Sequence, residues 1–141
     1  MKKYFVLLIF LIVFSFMKGK EIVDSSTSIV VVKSYELKGE AWNDWKKIED
    51  DWMKNNYPKI LKSNKLKMNC RSCESIYLEV VIQIDSSGKL NNYKLINSKK
   101  CGEKFSKSLE IQFMKPIFNI EFPHSLKNMR FEIRLGTGLK C

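Results

Sequence analysis

Residues Ile76 to Ile84 alternate strictly between two faces, and this alternation constrains the fold more than any other feature. Period-two alternation over nine residues is typical of a β-strand with one face in the core. Five aliphatic residues share that face: Ile76, Leu78, Val80, Ile82 and Ile84. The next residues, DSSGK at 85–89, predict a hairpin turn in which Gly88 can adopt positive φ. We therefore expect a returning strand over 90–97, with Tyr93 and Leu95 on its inward face.

An apolar stripe predicts a helix from Glu40 to Asn55, before the hairpin. Its members recur at helical spacing: Ala41, Trp45, Ile48 and Trp52, with Trp42 beside them. We interpret the stripe as a face packed on the core, and an exposed aromatic platform for a ligand is the alternative. Tyr57-Pro58 predicts a break in this helix, because the residue before proline is disfavoured in the α region. A second short helix is expected at about 58–64.

The C-terminal part predicts a further helix and a third strand. Phe105, Leu109 and Phe113 recur every four residues between Glu103 and Lys115, and Pro116 marks the expected helix end. The last alternating segment has apolar residues inward and charged residues outward: Met129, Arg130, Phe131, Glu132, Ile133, Arg134 and Leu135. The order helix, strand, strand, helix, strand predicts an α+β fold of two layers, with the Trp-rich helix as an N-terminal addition.

The N-terminus predicts export. Two lysines precede an apolar run of 14 residues from Tyr4 to Met17. A spanning helix needs roughly 20 apolar residues, so this run favours a signal peptide at 1–20. The cleavage site is poorly defined, and an uncleaved anchor is the alternative. Residues 21–39 then predict an extended arm or strand, and 40–141 a single domain.

The charge of the chain argues against nucleic acid as a partner. Lys2, Lys3, Lys18 and Lys20 lie in the first 20 residues, so cleavage would take the formal charge from +10 to +6. The remaining lysines are scattered, whereas nucleic-acid binding requires a basic stripe with stacking aromatics. A weak preference for anionic envelope surfaces is compatible with this charge. We expect no stable membrane span after processing.

Four cysteines in a small exported chain predict two disulfides. They are Cys70, Cys73, Cys101 and Cys141. A thioredoxin-type CxxC is the first alternative, but its nucleophile would stand at a helix N-terminus, and this CxxC precedes a strand. A tetrahedral zinc site is the second, and an oxidising compartment disfavours it.

No set of residues in the sequence predicts catalysis. His124 is the only histidine, stands beside Pro123 and is expected in a solvated loop. Ser106 and Ser108 have no neighbouring base, and the acidic run at 49–51 is interpreted as a solvated helix face. The sequence therefore predicts no enzyme, no metal and no cofactor.

Three motifs follow one another in the second half of the chain: Tyr57-Pro58 before a short helix, IDSSGKL at 84–90 and LINS at 95–98. With them, the chain resembles the C-terminal domain of TonB and TolA proteins over about 57–136. A helix, a loop with prolines and a closing alternating strand follow in the same order. The resemblance implies a three-stranded antiparallel sheet of order 2-1-3, with a helix on one face.

The resemblance also implies a binding edge. The last strand, residues 129–135, would lie at the edge of the sheet and could accept an extended peptide by strand addition. The alternative is an edge protected by its charged side chains. The energy transducers of that family have a long Pro-rich linker that crosses the periplasm. The segment 21–40 would reach only about 70 Å when extended. A stand-alone exported domain therefore fits better than a membrane-anchored transducer.

The implied strand order places all four cysteines at one end of the sheet. Hairpin register would place residue 73 roughly opposite residue 100 or 101, so we expect the pairs Cys73–Cys101 and Cys70–Cys141. Four cysteines permit three connectivities, and the sequence alone leaves the choice open.

These expectations lead to a non-enzymatic protein of the Gram-negative envelope, periplasmic or secreted. It would bind another envelope protein through the exposed sheet edge, and the resemblance implies a link to outer-membrane transport. The alternative is a small secreted, disulfide-stapled inhibitor or structural protein. A cystatin-like inhibitor has more strands after its helix than the single one predicted here.

Overall fold

The computed structural model describes residues 31–141. The predicted signal peptide and residues 21–30 of the predicted arm lie outside this range. The helices and strands, in chain order, are β1 (Val32–Lys33), α1 (Gly39–Asp51), α2 (Tyr57–Ser63), β2 (Ser75–Ile84), β3 (Leu90–Lys100), α3 (Lys107–Phe118) and β4 (Arg130–Gly138). Short 3-10 turns occupy Ser34–Glu36 and His124–Leu126.

The fold is α+β, with one mixed sheet of order β1-β4-β2-β3. Strand β2 lies between β3 and β4 and is antiparallel to both. This corrects the expectation of three antiparallel strands, because β1 adds a fourth that runs parallel to β4. Strand β1 has only two residues and pairs Val32 with Phe131 and Lys33 with Glu132. The segment 21–39 therefore ends as a short strand followed by a 3-10 turn, within the part that the structure describes.

The aromatic stripe of α1 and of the turn that follows it faces the core. Trp45 and Trp52 are fully buried, so neither can form an exposed ligand platform. The Trp45 ring meets Phe131 of β4 edge-on, with ring centroids 5.5 Å apart. Trp52 donates its indole N–H to the carbonyl of Phe113 in α3 (3.2 Å). Trp45 and Trp52, which belong to the apolar stripe seen in the sequence, therefore pack this helical region against both the sheet and α3.

The helical path continues through Tyr57-Pro58, contrary to the expected break. Residues Trp52–Asn56 form a π-helical turn, and the Tyr57 N–H donates to the Trp52 carbonyl. Tyr57 keeps helical dihedrals (φ −54°, ψ −49°) although it precedes a proline. The wider turn relieves the clash between a proline ring and the carbonyl four residues before it. Because Pro58 also stands in the first turn of α2, its missing N–H costs little.

Helix α3 begins later and ends later than the sequence predicted. The Ser106 hydroxyl accepts a hydrogen bond from the Leu109 N–H (3.3 Å) and caps the helix, so residues 103–105 remain outside it. The helix then passes through Pro116 and ends at Phe118. Pro116 is only two residues from that end, so its lost hydrogen bond does not stop the helix.

The β2–β3 hairpin turns where the sequence predicted. The Asp85 carboxylate accepts hydrogen bonds from the backbone N–H groups of Lys89 (2.9 Å) and Ser87 (2.8 Å). The Lys89 N–H and the Ser87 hydroxyl hold the pKa of Asp85 below its usual value. Gly88 has φ +83°, as the turn requires. These contacts fix the register of the two long strands.

Leu95 differs from its expected environment. It lies opposite Val80 and so shares the inward face, yet it is 41% exposed. The reason is that β3 ends the sheet, so no further strand of the described residues shields Leu95 on its outer side. The register also shifts between Glu79 and Val80, which places Ile96 in a bulge.

Candidate partner-binding surface

All four cysteines lie at one end of the sheet and are paired. The bonds are Cys70–Cys141 and Cys73–Cys101, the two pairs that the implied strand order led us to expect. This is the end where β2 begins and where β3 and β4 finish, so the bonds tie three strands together. Cys101 also donates its backbone N–H to the Ser75 carbonyl (2.9 Å).

The local geometry of Cys70 and Cys73 differs from that of a redox CxxC. Asn69 and Cys73 exchange both backbone hydrogen bonds (2.8 and 2.9 Å), which closes a tight turn around residues 70–72. Both cysteines form disulfides with other segments, and Cys73 precedes strand β2, whereas a redox CxxC places its nucleophile at a helix N-terminus. Within residues 31–141, no three His, Cys, Asp or Glu side chains converge as metal ligands.

Strand β4, which contains the predicted edge residues, is not at the edge of the sheet. Strand β1 pairs with Phe131 and Glu132, and so covers the start of the expected edge. The chain then turns away at Ser34–Glu36. In the described part of the chain, no strand pairs with the outer side of β4 from Ile133 to Gly138. The predicted edge at 129–135 is therefore paired with β1 at Phe131 and Glu132 and, among the described residues, open from Ile133 to Leu135.

Strand β3 provides the longer unpaired edge. It has 11 residues and, among the residues that the structure describes, pairs only with β2 and ends the sheet opposite β1. Its last residues are covered, because the Lys100 N–H bonds to the Glu103 carbonyl (2.6 Å) and the Phe105 N–H to the Ser98 hydroxyl (3.0 Å). The open part of the edge therefore runs over 91–97.

The backbone of this open part presents hydrogen-bonding groups to solvent. Cys101 bonds to the carbonyl of Ser75, so the odd-numbered residues of β2 direct their N–H and C=O groups towards β3. Tyr93 and Leu95 lie opposite even-numbered residues of β2. Because alternate residues of a strand point these groups to opposite sides, Tyr93 and Leu95 direct theirs away from the sheet.

Apolar and basic side chains surround the open edge. Leu95 and Ile96 are 41% and 49% exposed, and Phe118 of α3 is similarly exposed beside Tyr93, with ring centroids 5.7 Å apart. Strand β3 contains three lysines and no acidic residue. The surface combines unpaired backbone groups, apolar contacts and positive charge.

A buried carboxylate fixes helix α3 to this strand. Glu110 accepts hydrogen bonds from the Tyr93 hydroxyl (2.8 Å) and the Lys107 ammonium (2.7 Å), and its side chain is only 8% exposed. Burial by itself raises the pKa of Glu110, but the hydrogen bonds from Lys107 and Tyr93 outweigh it and hold this pKa below its usual value. These hydrogen bonds fix the position of helix α3, and with it Phe118, relative to β3.

We expect Glu110→Gln to lower the free energy of unfolding by about 1 kcal/mol at neutral pH, because an amide replaces a charged acceptor. The folded-state pKa of Glu110 is lowered, so its ionised form stabilises the fold above the unfolded pKa of about 4.3. This contribution is lost as the pH falls through the lower, folded-state value. Urea titrations of both proteins, repeated from neutral to acidic pH, measure the difference.

Glu103→Gln is the matched control. The Glu103 side chain is solvent-exposed, and its pair with the Lys100 ammonium is loose, at 3.5 Å. Its effect should stay below about 0.5 kcal/mol. A Glu110→Gln difference that stayed constant from neutral to acidic pH would contradict the assigned role of the carboxylate.

Two further concavities lie elsewhere on the molecule. A groove of about 420 Å³ between α2 and α3 is lined by Ile60 and Pro116, with Lys59 and Lys115 among its other residues. A second, of about 330 Å³, lies on the open face of the sheet beside Tyr35. Both are open to solvent and neither gathers a set of catalytic groups.

Sequence reasoning did not identify the open edge of β3 as a binding surface, although the implied order 2-1-3 leaves that strand at an edge. The resemblance directed attention to the last strand, and β3 was interpreted only as the returning arm of a hairpin. One signal was available: residues 90–100 contain three lysines and no acid, a pattern that favours an edge strand.

Comparison with models of known protein families, with curated proteins and with solved structures finds no match to this chain. The resemblance to the TonB and TolA C-terminal domain therefore stays a proposal. Among residues 31–141, no helix has the length and apolar character needed to cross a membrane.

Proposed function

We propose that this chain is an exported, disulfide-stapled domain that binds another protein of the cell envelope and has no catalytic activity. The observation that carries the proposal is a long, unpaired strand edge on a sheet whose far end is held by two disulfides. An extended partner can add a strand to such an edge through main-chain hydrogen bonds. Disulfides hold the three long strands together without contacting the open edge.

The disulfides also support the proposal that the protein is exported from the cytoplasm. Such bonds persist in oxidising environments, including the bacterial periplasm, and are rare in the cytosol. Together with the basic start and the short apolar run at 4–17, they favour export to the periplasm or beyond. The TonB-like relationship is part of the same proposal. It is supported by the order of β3, β2 and β4 in the sheet and by helix α3 between the hairpin and β4.

Site-specific photo-cross-linking in the producing cells tests the proposal. A photoreactive residue at Ile96, in the open edge, is expected to give a discrete adduct with one envelope protein. The same residue at Lys47, which is 77% exposed on α1, is the matched control and should give no adduct. Fractionation should place the adduct outside the cytoplasm, with the processed chain beginning between about residues 18 and 25.

Two results would contradict this function. One is a chain that remains cytoplasmic with four reduced thiols, since the export argument would then fail. The other is cross-linking that is equally frequent from Ile96 and Lys47, which would indicate random collision and no defined surface.

A further inference from the structure

We propose that the open edge of β3, residues 91–97, is the binding site for an extended, acidic segment of a partner protein. This segment would lie beside β3 as a fifth strand. The inference rests on the proposed function and deepens it, because it names the surface and the chemistry of the segment that the surface selects. It also moves the binding edge from β4, where the sequence placed it, to the opposite side of the sheet.

The backbone supplies the first part of the recognition. Tyr93 and Leu95 direct their N–H and C=O groups away from β2, and neither is covered by the 101–106 segment that caps the end of β3. The seven residues from 91 to 97 are as long as an ordinary β-strand, which usually has about 5–6 residues. A partner strand can therefore form several main-chain hydrogen bonds without displacing any element of the fold.

Apolar side chains supply the second part. Leu95 lies on the helix-facing side of the sheet, and Ile96 stands exposed in the bulge next to it. Phe118 lies beside Tyr93 and extends the apolar surface on the helix-facing side. An added strand presents alternate side chains to the two faces of a sheet, so apolar residues of the partner can pack on Leu95 and Phe118.

The charge of β3 selects an acidic occupant. Lys94, in the middle of the open edge, has no carboxylate within ion-pairing distance among residues 31–141. Lys99 and Lys100 form only loose ion pairs. Their partners are Glu74 at 3.7 Å and Glu103 at 3.5 Å, and both carboxylates are largely exposed. No acid within the strand offsets these three lysines. Glutamates or aspartates in the incoming strand would compensate them.

The same lysines disfavour a second copy of this chain as the occupant. Antiparallel pairing of two β3 strands would bring lysines of one copy close to lysines of the other, and like charges opposite each other destabilise a sheet. Lysines and bulges at an edge are known means of preventing such self-association. They do not prevent pairing with a strand of opposite charge, so protection from self-association and recognition of an acidic strand are compatible.

The open part of β4 lacks this selectivity. Its Arg134 is stacked over the Tyr77 ring at 3.9 Å and lies 3.8 Å from the Glu79 carboxylate. The positive charge there is already partly compensated within the molecule. An acidic strand thus gains more from β3 than from β4.

The test uses the folded, disulfide-bonded chain and a synthetic peptide of about ten residues that alternates glutamate with valine. The control peptide carries lysine at every glutamate position. In ¹⁵N NMR at low salt, the acidic peptide is expected to shift the amides of 91–97 saturably and to slow hydrogen exchange at Tyr93 and Leu95. The lysine peptide should produce no saturable shift.

Two variants locate the charge effect. Lys94→Glu is expected to weaken binding of the acidic peptide at least about tenfold, because it replaces attraction by repulsion at the centre of the edge. Lys59→Glu makes the same charge change on the exposed side of α2 and should leave the affinity unchanged. Leu95→Pro should also abolish binding. It removes an outward N–H without breaking the ladder to β2.

Four results would overturn the inference: no saturable shift, shifts confined to 133–138, equal binding of both peptides, or concentration-dependent self-association through β3. The outcomes also separate the inference from the proposed function. If Ile96 cross-links to a partner in cells while the acidic peptide fails to bind, the function stands and the acidic specificity is wrong. If both experiments fail, both are wrong.

Discussion

Replacing Cys73 and Cys101 together by alanine should lower the free energy of unfolding by about 4 kcal/mol. The bond closes a loop between residues 28 apart in sequence, so its loss restores much conformational entropy to the unfolded chain. Cys73 is also buried in the core, so packing is lost as well. For a small domain this is a large fraction of the total stability. Denaturant titration of the oxidised proteins measures the change.

Cys70→Ala with Cys141→Ala is the informative partner experiment. That bond joins residues 71 apart, and the longer loop gives a larger entropic effect, about 4.5 kcal/mol compared with about 3.5 kcal/mol for the loop closed by Cys73–Cys101. Cys70 and Cys141 are exposed, however, so no core packing should be lost. A change below about 1 kcal/mol in both double variants would contradict a structural role for the disulfides.

Gly136→Ala should destabilise the fold by about 3–5 kcal/mol. Gly136 has φ +99°, a conformation that a residue with a Cβ atom rarely adopts. A Cβ there would also overlap the carbonyl oxygen of Ile76, in the neighbouring strand β2. That carbonyl already accepts the Tyr57 hydroxyl (3.0 Å), so neither strand can move freely to relieve the overlap. Thermal unfolding followed by circular dichroism would measure the loss.

Gly138→Ala is the matched control for that variant. It lies two residues further along β4, where an added Cβ would meet its nearest neighbours at ordinary contact distances of 3.5 and 3.6 Å. We expect a change within about 0.5 kcal/mol. Equal losses from both substitutions would show that glycine flexibility, and not the close approach to β2, determines the effect.

The sequence predicted those parts of the fold that depend on local periodicity. The alternation of 76–84 located β2, and the turn residues Asp85 and Gly88 located the hairpin. The stripe that contains Trp45 and Trp52 selected the buried face of the N-terminal helical region. Each of these signals repeats over two or more turns or strand pairs, so it is visible without knowledge of the tertiary contacts.

The features that the sequence did not predict depend on non-local contacts or on unusual backbone geometry. Strand β1 has two residues, too few for a period, and it exists because Val32 and Lys33 meet β4 about 100 residues later. The residue before a proline is usually disfavoured in a helix, but the π-helical turn before Pro58 adds a residue to one turn and lets the helix continue. The implied order 2-1-3 already placed β3 at an edge, but its being the longer open edge followed only from the pairing of β1 with β4.

The two disulfides divide the described chain into a covalently closed part and an N-terminal part outside it. The Cys70–Cys141 bond turns everything from β2 to the C-terminus into one covalent ring, and the Cys73–Cys101 bond forms a smaller ring within it. A single proteolytic cut inside the large ring would leave its pieces joined. Helices α1 and α2 lie outside the ring, although Trp45 and Trp52 complete its core. A cut between Ser63 and Cys70 would therefore leave two fragments that only non-covalent packing holds together.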